Sequence, residues 1–266
     1  KQHFVCLNAC AKVSYFQRFV LVTFTKNNKT MKHLLSIIIA LVLCGSCSRK
    51  KKVSFTRVGI SEIFTDSLSI RAIVAQDTSR VWFAANKGVV GLVDGNTPKL
   101  ATVTYDNKLL HFRAIAKTKH AVFVLSIDTP AVLYKIEVKD NEATSMQEVY
   151  LETGEGVFYD AISFWNDQEG IAMGDPIGGC LSIIITRDGG DSWSKLSCDV
   201  LPSVVVGEAA FAASNSNIAI YGDHTWIVTG GQRARLFHSP DKGNTWVVYD
   251  TPILQGDVMT GIYRVA

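Results

Sequence analysis

Residues 186–193 and 239–246 obey one pattern, Ser/Thr-x-Asp-x-Gly-x-Ser/Thr-Trp, and they lie 53 positions apart. The first reads Thr186, Asp188, Gly190, Ser192, Trp193 and the second Ser239, Asp241, Gly243, Thr245, Trp246. Each residue type has a job in a tight hairpin. The aspartate accepts backbone amides of its own turn, the glycine supplies a positive φ, and the tryptophan packs the hairpin onto its neighbours. Two such turns in register demand a repeating β structure whose unit is close to the spacing between them.

The rest of the chain supplies the other units. Short β-rich runs alternate with turn residues, and no apolar helical period persists over ten residues. Aligned on an alanine or glycine, the opening strands are residues 69–73, 111–115, 159–162, 208–211 and 260–262, recurring after 42, 47, 49 and 51 residues. That period fits one four-stranded blade and is too long for one hairpin. The chain is therefore expected to be all-β: a β-propeller of four-stranded Asp-box blades. Residues 61–266 would hold four units and the opening strand of a fifth, a C-terminally incomplete part of a six- or seven-bladed ring.

The N-terminal region reads as export machinery. Met31 is the first plausible start, followed by Lys32 and His33, an apolar run from Leu34 to Leu43, and small residues before Cys47. About ten apolar residues fall short of the roughly 20 that a spanning helix needs. Residues 31–47 are expected to be a lipoprotein signal with Cys47 as the lipidated residue, 1–30 to be upstream translation, and 48–60 to be a tether. Processing would remove all six Lys and Arg before position 48, leaving 21 basic against 24 acidic groups, a net of −3. A mildly acidic chain without a basic stripe lacks the phosphate-neutralising charge that nucleic-acid binding uses. Of the six cysteines only Cys180 and Cys198 would remain as thiols. They flank the 188–191 turn, so a disulfide and two buried free thiols are both open readings.

The stretches 174–179, 207–214 and 226–231, followed by Ala234, Arg235 and the second Asp box, resemble bacterial propellers related to the photosystem II stability and assembly factor. The resemblance spans about residues 69–266. It implies an exported propeller that acts by binding other proteins, here proteins of the cell envelope. Relatives also carry oxidoreductase or sialidase labels. The residues support neither: after processing there is no C-x-x-C pair, no glycine-rich dinucleotide fingerprint and no haem or metal-cysteine spacing. No cofactor or metal is expected.

Six residues are candidates for binding. Arg71 and Arg113 occupy equivalent places in successive units and suit carboxylates on a partner, unless each pairs with an acid inside its own blade. Asp175, Glu208, Arg233 and Arg235 fall at blade ends near the expected axis, where turn or capping roles compete with binding. A glycan ligand is the rival reading, although the Arg113 segment lacks the proline of the sialidase arginine motif. Of the tryptophans, Trp165 is the candidate surface aromatic.

Overall fold

The computed structural model describes Gly59, Glu62, Ile63 and residues 67–266 apart from Asn96 and Asn141. The expected upstream segment, lipoprotein signal, Cys47 and nearly all of the tether lie outside the described residues. Every described strand belongs to the unit Ser61–Ala266.

Four antiparallel sheets of four strands follow one another along the chain. Sheet 1 comprises β1 (Ile70–Ala75), β2 (Arg80–Ala85), β3 (Val89–Asp94) and β4 (Thr97–Thr102). A short hairpin, β5 (Thr104–Tyr105) with β6 (Lys108–Leu109), leads to sheet 2: β7 (Phe112–Lys117), β8 (Ala121–Ser126), β9 (Ala131–Lys139) and β10 (Glu142–Glu152). Sheet 3 is β11 (Tyr159–Phe164), β12 (Gly170–Ile177), β13 (Cys180–Thr186) and β14 (Ser194–Lys195). A short pair, β15 (Glu208–Ala209) with β18 (Gly230–Gly231), stands beside sheet 4, made of β16 (Ile218–Tyr221), β17 (His224–Val228), β19 (Arg235–Ser239) and β20 (Val247–Asp250). The first strands β1, β7, β11 and β16 touch in succession, so each sheet is a blade and these are its inner strands. The protein is a partial β-propeller.

The core lies between blades. Ala72, Trp82, Ala84, Val90 and Leu92 of sheet 1 pack on Ile115, Val122, Val124 and Ile136 of sheet 2. The opposite face of sheet 2, with Ala114, Phe123, Leu125 and Leu133, meets Ile162, Ala172 and Ile184 of sheet 3. Ile171, Met173 and Ile183 of sheet 3 in turn meet Ile218, Ile227 and Phe237 of sheet 4. Alternation along each strand sends successive side chains to opposite interfaces, so a blade between two others is apolar on both faces.

Both Asp boxes close hairpins as their residues require. Thr186 Oγ1 donates to Asp188 Oδ1 at 2.8 Å, and Asp188 accepts from Ser192 N at 3.1 Å and Ser192 Oγ at 2.6 Å. Asp241 likewise accepts from Ser239 Oγ, Thr245 N and Thr245 Oγ1. Gly190 and Gly243 both have φ +83°. A side chain at Gly190 would strike the Phe123 ring. Trp193 is 7% exposed and meets Phe123 and Phe164 edge-on, at 6.3 and 5.7 Å between ring centroids. Burial raises the Asp188 carboxyl, but the hydrogen bonds from Ser192 and Thr186 outweigh it and hold the group at about 2.

Two strand expectations need correction. The fourth inner strand does not run through residues 208–211, because only Glu208 and Ala209 pair, with Gly231 and Gly230. The strand resumes at Ile218, opposite Ile227. Nine steps along the inner strand thus face three on its partner, leaving six residues over. The segment 260–262 forms a single bridge, Gly230 to Gly261, rather than a strand.

Trp193 is buried more completely than Trp246. Trp193→Ala is expected to destabilise by about 3–5 kcal/mol, and Trp246→Ala by less. Chemical denaturation of the two variants reads the order directly; equal losses would mean the boxes do not wedge their blades as described.

Candidate functional site: the bulged ends of the inner strands

In three consecutive blades the ladder between first and second strands slips by one residue at the same place. The slips fall between Ile70 and Ala72, Phe112 and Ala114, and Tyr159 and Ala161. The extra residues are Arg71, Arg113 and Asp160. A bulge leaves its extra residue out of the ladder and re-aims its side chain, and the three strands are neighbours. Two guanidiniums and a carboxylate are therefore set in a row.

Their surroundings differ sharply. Arg71 is exposed and donates from Nε to Ser69 Oγ at 3.1 Å. Arg113 is half-buried and donates to His111 Nε2 at 3.3 Å and to the carbonyl of Ala212 at 3.4 Å. Neither arginine forms one of the ion pairs among the described residues. Burial, and next the charge of Arg71, pull the Arg113 guanidinium below its ordinary value. Burial and both arginines push the His111 imidazole down, against a smaller opposing pull from Asp128. His111 thus stays neutral more readily, which suits an Nε2 that accepts a hydrogen bond from Arg113.

Asp160 is 0% exposed, and neither carboxyl oxygen has a hydrogen-bond partner among the described residues. Burial raises it well above the carboxylate range, Asp175 adds to this, and Arg113 opposes it. Asp175 is also raised by burial, partly offset because its Oδ1 accepts the Ala210 amide at 2.8 Å.

The surplus residues of the fourth inner strand reach this region. Asn215, at φ +57°, accepts the Ile162 amide at 2.8 Å and donates Nδ2 to the carbonyls of Ile115 (3.0 Å) and Ile162 (3.2 Å). One side chain in the fourth blade thus ties together the inner strands of the second and third. Asparagine tolerates this left-handed conformation better than most residues. Phe211 anchors the insertion by stacking on Tyr263, 4.0 Å between centroids.

The other expected residues are engaged elsewhere. Glu208, buried, is clasped by Arg235, whose Nε lies 3.0 and 3.1 Å from its two oxygens, and it also accepts from Thr229 Oγ1 at 2.6 Å. Arg233 pairs with Asp250 at 3.2 Å on an exposed edge. Asp175 is linked to the Glu208 segment by the Ala210 amide. Cys180 and Cys198 form a disulfide, Cα to Cα 5.5 Å, joining the start of β13 to the turn beyond β14. Trp165 is tied down by Thr225 Oγ1 at 2.8 Å and capped by Arg187. Trp226, half-buried as Trp165 is, stacks with His238 and His224 on one face of sheet 4.

Two clusters escape sequence reading. Glu152 accepts from Tyr150 at 2.7 Å and Tyr159 at 2.8 Å and pairs with Lys195. Burial raises Glu152, but the hydrogen bonds from Lys195 and the two phenols hold it below its ordinary value. Tyr159 is fully buried and its phenol is raised far above the ordinary value, chiefly by burial. The only sequence hint was Tyr150 and Glu152 two apart on one strand face. His224 Nδ1 and His238 Nε2 approach to 2.9 Å across β17 and β19. The described residues hold no group of three or more potential metal ligands.

No protein-family model and no curated protein matches the chain. Among solved structures it is similar to the WD40 repeats of RRP9 (13% identity, TM-score 0.48) and to YCF48 from Cyanidioschyzon merolae (12%, TM-score 0.42). The likenesses cover 71% and 69% of this chain but 53% and 51% of those chains, so it spans about half their length. A neuraminidase-like protein of a bat influenza A virus is also similar (11%, TM-score 0.38, covering 73% and 56%). The likeness is a distant one, to β-propellers.

Because the folded state raises Asp160, its protonated form is favoured there, and stability drains away as pH climbs from the unfolded value toward the folded one. Asp160→Asn should therefore melt a few degrees higher than the parent at pH 7, with the gain vanishing near about pH 4. Melting curves across pH test this; a gain that persists unchanged at low pH would show that charge burial is not its source.

Proposed function

We propose that this chain is a non-catalytic binding module that captures carboxylate-bearing segments of envelope proteins at the bulged ends of its inner strands. The observation that carries the reading is the Arg71 and Arg113 pair: adjacent guanidiniums without an ion-pair partner among the described residues. Like charges held together cost free energy unless something neutralises them, and a planar fork suits a carboxylate. The surplus of acid over base in the expected mature chain makes this basic spot local rather than general. His111, neutral and accepting from Arg113, sets the guanidinium's direction.

The expected lipid on Cys47 places the module at a membrane facing the periplasm or cell surface. The four charged residues Arg49, Lys50, Lys51 and Lys52 fall in the expected tether. A sialidase-type role would need a tyrosine that a sugar can reach. Tyr159, bound to a glutamate but fully buried, has its phenol raised rather than activated. A structural lock between blades 2 and 3 accounts for it better.

A fluorescent peptide rich in Asp and Glu with a free C-terminus serves as probe. The parent should bind it with an affinity that falls as salt rises, and Arg71→Gln with Arg113→Gln should weaken it by about tenfold or more. Unaltered affinity in the double variant removes this site from consideration. Separately, Cys47→Ala should move the protein from the membrane pellet to the soluble fraction; retention in the pellet would reject the lipid anchor.

A further inference from the structure

The same interblade slot is filled in one interface and open in another. Counting across the ladders from the bulge alanines, Ala114 faces Leu125 as Ala161 faces Met173, so Tyr134 on β9 corresponds to Ile184 on β13. Ile184 and Ile185 face Lys195 and Ser194, which puts Trp193 level with Thr186. In sheet 2 the level two residues beyond Tyr134 is Ile136, and its partner is Met146. Met146 therefore stands where sheet 3 has its Asp-box tryptophan. Sheet 2 has no box: β9 and β10 run on as an extended hairpin instead of turning compactly.

The receiving side of the slot is retained. Val74 faces Trp82 and Ala116 faces Phe123, each two residues past the bulge alanine, so Trp82 in sheet 1 corresponds to the Phe123 that receives Trp193. Where the indole would lie between sheets 1 and 2 there is a cavity of about 540 Å³, lined by Trp82, Val90, Leu92, Leu100, Ile136 and Met146. That volume falls in the range of small-molecule sites. Its rim is formed by the outermost strands β4 and β10, where Lys99 and Glu142 meet at 3.8 Å. Trp193 meets the rings of Phe123 and Phe164, whereas among the described residues no aromatic ring packs against Trp82.

We propose that this cavity binds a planar bicyclic aromatic molecule, seated between sheets 1 and 2 as Trp193 is seated between sheets 2 and 3. The ring takes the place that Met146 leaves empty, against the apolar lining of Trp82, Leu92 and Ile136. The site is separate from the bulged strand ends and does not depend on the Arg71 and Arg113 reading.

Quinoline supplies a ring of this shape. Calorimetric titration and ligand-observed NMR on the full chain should show saturable quinoline binding, at about 1 mM or tighter. Met146→Trp should fill the slot from within, weaken quinoline by about tenfold or more and raise the melting temperature by a few degrees. Ala101→Phe, on the exposed strand β4 at the rim, should weaken quinoline without altering the melting temperature, and it decides the matter if Met146→Trp does not fold. No saturable binding by the parent, or equal affinity in the parent and Ala101→Phe, would overturn the proposal.

Discussion

A four-stranded sheet has two faces and can bury neither by itself, so every blade of this protein depends on the one beside it. The contacts that meet this need are lateral, between side chains such as Leu125 and Leu133 on one sheet and Ile162 and Ile184 on the next. Burying a side chain of that size is worth about 1.5–3 kcal/mol, and the interfaces repeat it many times. The Asp boxes serve the same end. Their polar residues satisfy a turn internally, which frees the tryptophan to drive into the space between sheets. The cavity beside Trp82 is what an interface looks like when that wedge is missing.

Lateral packing also explains why polar groups gather at the inner strand ends. The bulges take Arg71, Arg113 and Asp160 out of the ladder just where the interfaces narrow. A carboxyl at 0% exposure with no partner among the described residues is an expense that packing alone would not select. It lies next to Arg113, which forms no ion pair among the described residues, and such concentrations of buried ionisable groups are typical of places where function, rather than stability, chose the residues.

Much of the fold was legible because the blade is short-range. The recurring alanines located three inner strands to within about two residues, and the two boxes marked their hairpins, since each depends on neighbours close in sequence. The fourth inner strand was missed because Glu208 and Ala209 resemble their counterparts, while the six surplus residues follow immediately and look like ordinary strand. At the site, Arg71 and Arg113 were visible as an echo between units. Asp160 was not, because aspartate takes the place of arginine in the third unit and breaks the echo. The pairing of Glu208 with Arg235, 27 residues on, and of His224 with His238 across two strands depends on register that local patterns do not encode. The choice between disulfide and free thiols for Cys180 and Cys198 turned on a three-residue helical turn at Cys198–Val200, equally invisible in the sequence.

Repeat architectures ordinarily behave like a row of dominoes, each unit coupled only to the next, so that local opening at one end need not disturb the other. The asparagine in the surplus segment departs from that rule. Its amide grips the Ile115 carbonyl, 100 positions away and two blades distant, as well as the backbone of Ile162. Loss of the fourth blade would thus leave backbone groups in the second without their partner, tying these three blades together more tightly than neighbour-to-neighbour packing alone would.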